Sequence, residues 1–137
     1  MRSTRASDAV QSCPHLMKTI LIVEDSPTIR QTLTTLLSLS GFRVETAEDG
    51  EEGLGRLRRG LQPDLIITDL YMPRLDGLAL TRAARKMLVS TPILLLTVEN
   101  RRDKRELARQ AGATGWLLKP VAPKTLLNAI QRVVPDS

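Results

Sequence analysis

The stretch "PDLIITDLYMP", Pro63 to Pro73, decides how the chain folds. Leu65 to Thr68, with Asp64 ahead, is a short apolar run that reads as a buried strand. An aspartate, Asp69, follows at once. A carboxylate is costly to bury unless something beside it neutralises the charge. The stretch therefore raises two questions: which sheet holds the strand, and what lies next to Asp69.

Outward from this run, apolar segments alternate with segments of helical period. "KTILIV" (Lys18–Val23) is a first strand. "SPTIRQTLTTLLSLSG" follows as a helix, with Ser26 as its cap, Pro27 in the first turn and Gly41 at its end. Ile29, Leu33, Leu36 and Leu37 give it one apolar face. "FRVETA" is a second strand, and Gly50 to Arg59 a second helix. Gly53 and Gly55 each cost that helix roughly 1 kcal/mol against alanine, so it is expected to be the most mobile. Leu65 to Asp69 is the third strand, and Leu78 to Leu88 the third helix, entered through "RLDG". "TPILLLT" (Thr91–Thr97) is apolar on both sides and is expected to be a central strand. Arg101 to Ala111, "GWLL" (Gly115–Leu118) and Pro123 to Val134 complete the series as helix, strand and helix. Strict alternation of this kind predicts an α/β fold, a parallel sheet with crossover helices.

Composition narrows the class. The chain has 137 residues, the size of one domain, and is 42 % apolar, enough for one core. Phe42, Tyr71 and Trp116 are its only aromatic residues, so that core must be aliphatic. No apolar run reaches the roughly 18 residues of a membrane span. The start has no apolar signal-peptide core. The single cysteine, Cys13, cannot form an internal disulfide, which agrees with a cytoplasmic location. Cys13, His15 and Met17 have no second ligand cluster, so Met1 to Met17 reads as a flexible leader rather than a metal site, ahead of a folded domain over 18–137. The net charge of +5 raises the question of nucleic acid. Acids and bases are interleaved, however, and only Arg101, Arg102, Lys104, Arg105 and Arg109 cluster. No nucleic-acid motif accompanies them. They read as a solvated helix face or as a docking surface for an acidic partner, and neither nucleic acid nor membrane is expected as a partner.

In an open parallel sheet the strands' carboxyl ends share one rim, where such folds bind ligands. Glu24 and Asp25 follow the first strand, Asp69 the third and Lys119 the fifth, while Thr97 ends the fourth. Three crowded carboxylates raise one another's pKa values or call for a cation. Lys119 supplies one positive charge against three negatives. A hard divalent ion with oxygen ligands is the natural remainder, and Mg²⁺ keeps only one or two carboxylates plus waters. An open position on it would accept a phosphate oxygen. Singly, each residue has a plainer reading: a helix-dipole acid, a strand threonine, a snorkelling lysine. Their convergence on one rim favours a shared site.

"LIVEDS", "PDLIITDLYMPRLDG", "TPILLLTVEN" and "AGATGWLLKP", in this order and spacing, resemble the receiver domain of bacterial two-component response regulators, and within it the single-domain chemotaxis type. The likeness covers about Lys18 to Val134. It implies a doubly wound (βα)5 flavodoxin-like fold of strand order 2-1-3-4-5. It implies Asp69 as phosphoacceptor. Glu24, Asp25, Asp69 and the Tyr71 backbone carbonyl would hold Mg²⁺, and Lys119 would pair with the carboxylate and phosphoryl oxygens. Thr97 and Trp116 match the switch positions, and the Lys119–Pro120 bond is expected to be cis. The implied function is a stand-alone regulator phosphorylated by a sensor histidine kinase or a histidine phosphotransfer protein. With no effector domain expected after Val134, output would be contact with a protein such as the flagellar motor switch. A phosphorelay shuttle is the alternative. A Mg²⁺-dependent phosphohydrolase would need a general-acid aspartate where Tyr71 stands. Four positions depart from the common pattern: Glu24 as first acid, Val98 after the switch threonine, bulky Tyr71, and Trp116 in place of a smaller aromatic. Val98 is expected to narrow access to Asp69. Tyr71 and Glu99 occupy positions that tune hydrolysis, and slow to moderate self-dephosphorylation is expected.

Overall fold

A computed structural model describes residues 18–134. The leader reading, with Cys13, His15 and Met17, lies outside the described residues, as do residues 135–137. Among the described residues five strands form one sheet: β1 (Thr19–Val23), β2 (Arg43–Ala47), β3 (Leu65–Thr68), β4 (Ile93–Thr97) and β5 (Gly115–Leu118). All pair in parallel, in the order β2-β1-β3-β4-β5. The helices are α1 (Pro27–Leu39), α2 (Gly50–Arg58), α3 (Gly77–Met87), α4 (Arg102–Ala111) and α5 (Pro123–Val133).

Side chains of a strand alternate between faces, and this divides the core in two. Ile20, Ile22, Leu65, Ile67, Leu94 and Leu96 point to one face, where α1 packs Leu33 and Leu37 and α5 packs Leu126 and Ile130. On the other face Leu21, Val23, Ile66 and Ile93 meet Leu54 and Leu57 of α2 and Leu80 and Ala84 of α3. Leu95 continues that layer under Ala108 and Ala111 of α4. The expected fold class is thus the observed one.

The fourth strand, expected to be central, is interior to the sheet, between β3 and β5, and wholly buried. Gly53, read as a weakness of α2, has a packing reason: a Cβ there would lie 3.0 Å from Val23 Cγ2. Its lack of a side chain lets α2 press directly on β1. Helix boundaries follow local chemistry. Ser26 caps α1 through the Ile29 N–H, and Asp76 caps α3 through the Ala79 N–H. The Lys119–Pro120 bond is cis.

Candidate functional site

β1 and β3 are adjacent, with Val23 opposite Thr68, so the residues that follow them, Glu24 and Asp69, emerge side by side. β5 reaches the same rim one strand beyond β4 and delivers Lys119. The Lys119 ammonium donates to Asp69 Oδ2 and to Glu24 Oε1, each at 2.8 Å. The second Asp69 oxygen accepts the Leu70 N–H at 2.6 Å. Glu24 is almost fully buried, at 2 % exposure. Its other oxygen accepts the Ser26 N–H, and its main-chain carbonyl accepts from Arg30.

The electrostatics follow from this burial. Loss of solvent pushes the Glu24 carboxyl above the usual carboxylate range, although Lys119 pulls the other way. For Lys119, burial works against the charge, but the bonds to Asp69 and Glu24 outweigh it and hold the ammonium above the ordinary lysine value.

Glu24, Asp25 and Asp69 each offer a carboxylate oxygen, and these oxygens lie within 4.8 Å of one another. Glu24 is buried and Asp25 exposed, so the cluster opens to solvent on one side. With Lys119 alone against three carboxylates, the pocket carries an excess of negative charge. A hard divalent cation suits such an all-oxygen set. The donor set therefore fits Mg²⁺.

The remaining sequence candidates gather around Glu99. Thr97 is fully buried, and its hydroxyl accepts the Glu99 N–H at 3.3 Å. The Trp116 indole N–H donates to the Glu99 carbonyl at 3.0 Å. The Tyr71 hydroxyl donates to the Glu99 carboxylate at 2.6 Å, and Arg101 binds the other carboxylate oxygen. That tyrosine hydrogen bond, with help from Arg101, lowers the Glu99 carboxyl to about 2. Tyr71 itself is 48 % exposed, and its hydrogen bond to Glu99 lies at the surface. Val98 points largely into solvent.

Sequence reasoning missed one pair. Arg74 sits in the loop after Asp69 with a φ of 71°, and its guanidinium pairs with the buried carboxylate of Asp49, the cap of α2. The pair joins the loop after β3 to the loop after β2. The bond to Glu52 N–H and the Arg74 charge together hold Asp49 below the usual carboxylate range. The two residues are 25 positions apart, and no local pattern links them.

A family model, the response regulator receiver domain, matches residues 20–131. The chain is 38 % identical over 121 residues to "Response regulator MprA" of Mycolicibacterium vanbaalenii, across 85 % of this chain and 52 % of that protein. It is 43 % identical over 129 residues to "Protein PetR" of Rhodobacter capsulatus, across 92 % of this chain and 52 % of the relative. The chain thus spans about half the length of these curated relatives. Among solved structures, chemotaxis protein CheY4 of Vibrio cholerae superposes with a TM-score of 0.82 at 42 % identity, covering 85 % of this chain and 98 % of that one. A receiver domain protein from Clostridium thermocellum gives 0.80 at 33 % identity, over 86 % and 94 % of the two chains.

Proposed function

The chain belongs to the response regulator receiver family of two-component systems, and from that premise we propose that it is a phosphoacceptor regulator carrying its signal on Asp69. The observation that carries this reading is the Lys119 ammonium shared by Asp69 and Glu24 beside a third carboxylate. The domain is taken to run from residue 18 to 137, behind a leader over 1–17. Receiver domains act with histidine kinases and downstream effectors, and a sensor kinase or histidine phosphotransfer protein is the proposed donor.

In the proposed reaction an Asp69 carboxylate oxygen attacks the phosphorus of a phosphohistidine. A P–O bond forms as the P–N bond breaks, and the departing imidazole takes up a proton. Lys119 stays within hydrogen-bond reach and offsets charge spreading over the phosphoryl oxygens. Glu24 fixes Lys119 from the opposite side. Glu24, Asp25, Asp69 and the Tyr71 carbonyl are the groups that would hold Mg²⁺, whose part is to neutralise the same charge. The acyl phosphate then presents acceptor oxygens to the Thr97 hydroxyl. A turn of Thr97 toward them would release the Glu99 N–H and, through Glu99, disturb the Trp116 bond, repacking the face of α4, β5 and α5.

The likeness to a chemotaxis protein supports output by contact with a motor-switch type of partner, with the arginines of α4 as the docking charge. A phosphorelay shuttle is the second reading, and the likeness to MprA and PetR, each roughly twice as long, does not separate the two. Phosphorylation-dependent binding of a motor-switch peptide favours the first. Phosphoryl exchange with a histidine phosphotransfer protein favours the second. The acceptor itself is tested with acetyl phosphate and Mg²⁺, read by intact mass. The wild type gains one phosphoryl group and Asp69→Asn gains none; labelling that survives the substitution refutes the acceptor.

A further inference from the structure

Asp49 is 3 % exposed, yet it lies outside the carboxylate cluster of the rim. One of its oxygens accepts the Glu52 N–H and caps α2. The other accepts Arg74 Nε at 2.9 Å and a second nitrogen of the same guanidinium. The backbone at Arg74 is unusual. The Leu75 N–H returns to the Pro73 carbonyl at 2.8 Å, closing a γ-turn around Arg74. The φ of 71° belongs to the strained hand of that turn. Glycine adopts such a φ freely, and any other residue persists there only where its surroundings hold it. Two close approaches seat the loop. The Gly77 N–H donates to the Leu70 carbonyl at 2.8 Å, and a Cβ on Gly77 would run into the Asp69 carbonyl. A Cβ on Gly50, the first residue of α2, would run into the Leu75 carbonyl. The segment from Asp69 to Gly77 is thus a closed ring resting on the start of α2, and the Arg74–Asp49 pair fastens it there.

We propose that Arg74 and Asp49 are positioning residues for the rim site: their pair clamps the loop after β3 so that the Tyr71 carbonyl and the Asp69 carboxylate can share one divalent cation with Asp25. The inference rests on the proposed function, which gives that carbonyl and those carboxylates to Mg²⁺. Neither Arg74 nor Asp49 touches the ion in this reading. They act through the backbone that runs from Asp69 through Tyr71 to the turn at Arg74. Groups that hold metal ligands in place typically carry roughly 10–100-fold in affinity. Charge alone makes a different prediction. An arginine near the site repels Mg²⁺ and an aspartate attracts it, so losing one or the other would shift affinity in opposite directions. A clamp shifts it in one direction, because the loss of either partner frees the same loop.

The test is Mg²⁺ calorimetry on the full chain carrying Arg74→Gly, Asp49→Asn or both. Arg74→Gly removes the guanidinium and gives the turn a residue that suits its φ. Asp49→Asn removes the charge and keeps a good helix cap. Circular dichroism is expected to show both variants folded. Each is expected to bind Mg²⁺ about tenfold more weakly than wild type. The double variant is expected to be no weaker than either, as for two residues that act through one contact. At saturating Mg²⁺, labelling of Asp69 by acetyl phosphate is expected to return to within about threefold of wild type, which separates ion binding from the transfer step. Amide exchange on the metal-free protein gives a second readout: the Leu75 and Gly77 N–H groups are expected to exchange about tenfold faster in each variant, with β1 unchanged. Tighter Mg²⁺ binding by Arg74→Gly beside weaker binding by Asp49→Asn overturns the clamp in favour of charge. Variants that bind Mg²⁺ as wild type does overturn it as well, and leave the proposed function standing where the wild type still gains its phosphoryl mass. A wild type that takes up neither Mg²⁺ nor a phosphoryl group overturns both.

Discussion

Without the Lys119 ammonium, Glu24 and Asp69 would face each other with no cation between them. Lys119→Met tests this balance with two readouts that move in opposite directions. Labelling by acetyl phosphate is expected to slow by roughly 100-fold, as when one preorganised charge is removed from a reaction site. Mg²⁺ binding, followed by calorimetry, is expected to tighten, because the competing cation is gone. Weaker Mg²⁺ binding would place Lys119 in ion recruitment rather than charge offset. Tyr71→Phe isolates a second contact. Without the phenol proton the Glu99 carboxyl is expected to climb from about 2 toward the ordinary value of about 4.3, as seen in a carboxyl NMR titration. The sign follows from the depressed value. The contact's contribution to stability is present above the ordinary carboxyl range and fades as pH falls toward 2. An unmoved titration would show that Arg101 alone sets the charge.

Most elements were legible because the residues that start and stop them act locally. Ser26 with Pro27 opens α1, Gly41 at a φ of 100° follows its end, and Pro123 opens α5. The glycines of α2 were harder. Propensity alone marks Gly53 as a defect, while its actual role appears only once β1 lies beneath it. Gly53→Ala pits two effects against each other. A gain of about 1 kcal/mol in helix propensity meets an overpacking cost of about 1–3 kcal/mol against Val23. A net loss of about 1 kcal/mol is expected in urea unfolding, and a net gain would show that α2 can shift outward at little cost. The mobility expected for α2 is a separate property from this packing.

For the molecule as a whole, the rim site was readable because a parallel sheet converts distant sequence positions into neighbours by rule. Glu24, Asp69 and Lys119 are far apart in the chain, yet each follows a strand. Arg74 and Asp49 obey no such rule, because their meeting depends on how two loops lean together. Among the described residues no helix is long and apolar enough to cross a membrane. The gathered carboxylates also predict a global response. Mg²⁺ held by these carboxylates would need the ends of β1 and β3 assembled, so it is expected to raise the melting temperature in proportion to the logarithm of its concentration. Asp25→Asn is expected to remove most of that rise in a calorimetric scan. A variant stabilised as much as wild type would show that the ion binds elsewhere.

The two attachments of Glu99 to Thr97 and Trp116 use peptide atoms, while those to Tyr71 and Arg101 use its carboxylate. Position 99 can therefore exchange its side chain, loosening the tyrosine, without unfastening threonine from tryptophan. Only proline, which lacks the N–H, would cut the threonine link. Under the proposed function, drift at this position would have room to alter the lifetime of the phosphoryl group while leaving the threonine–tryptophan link intact.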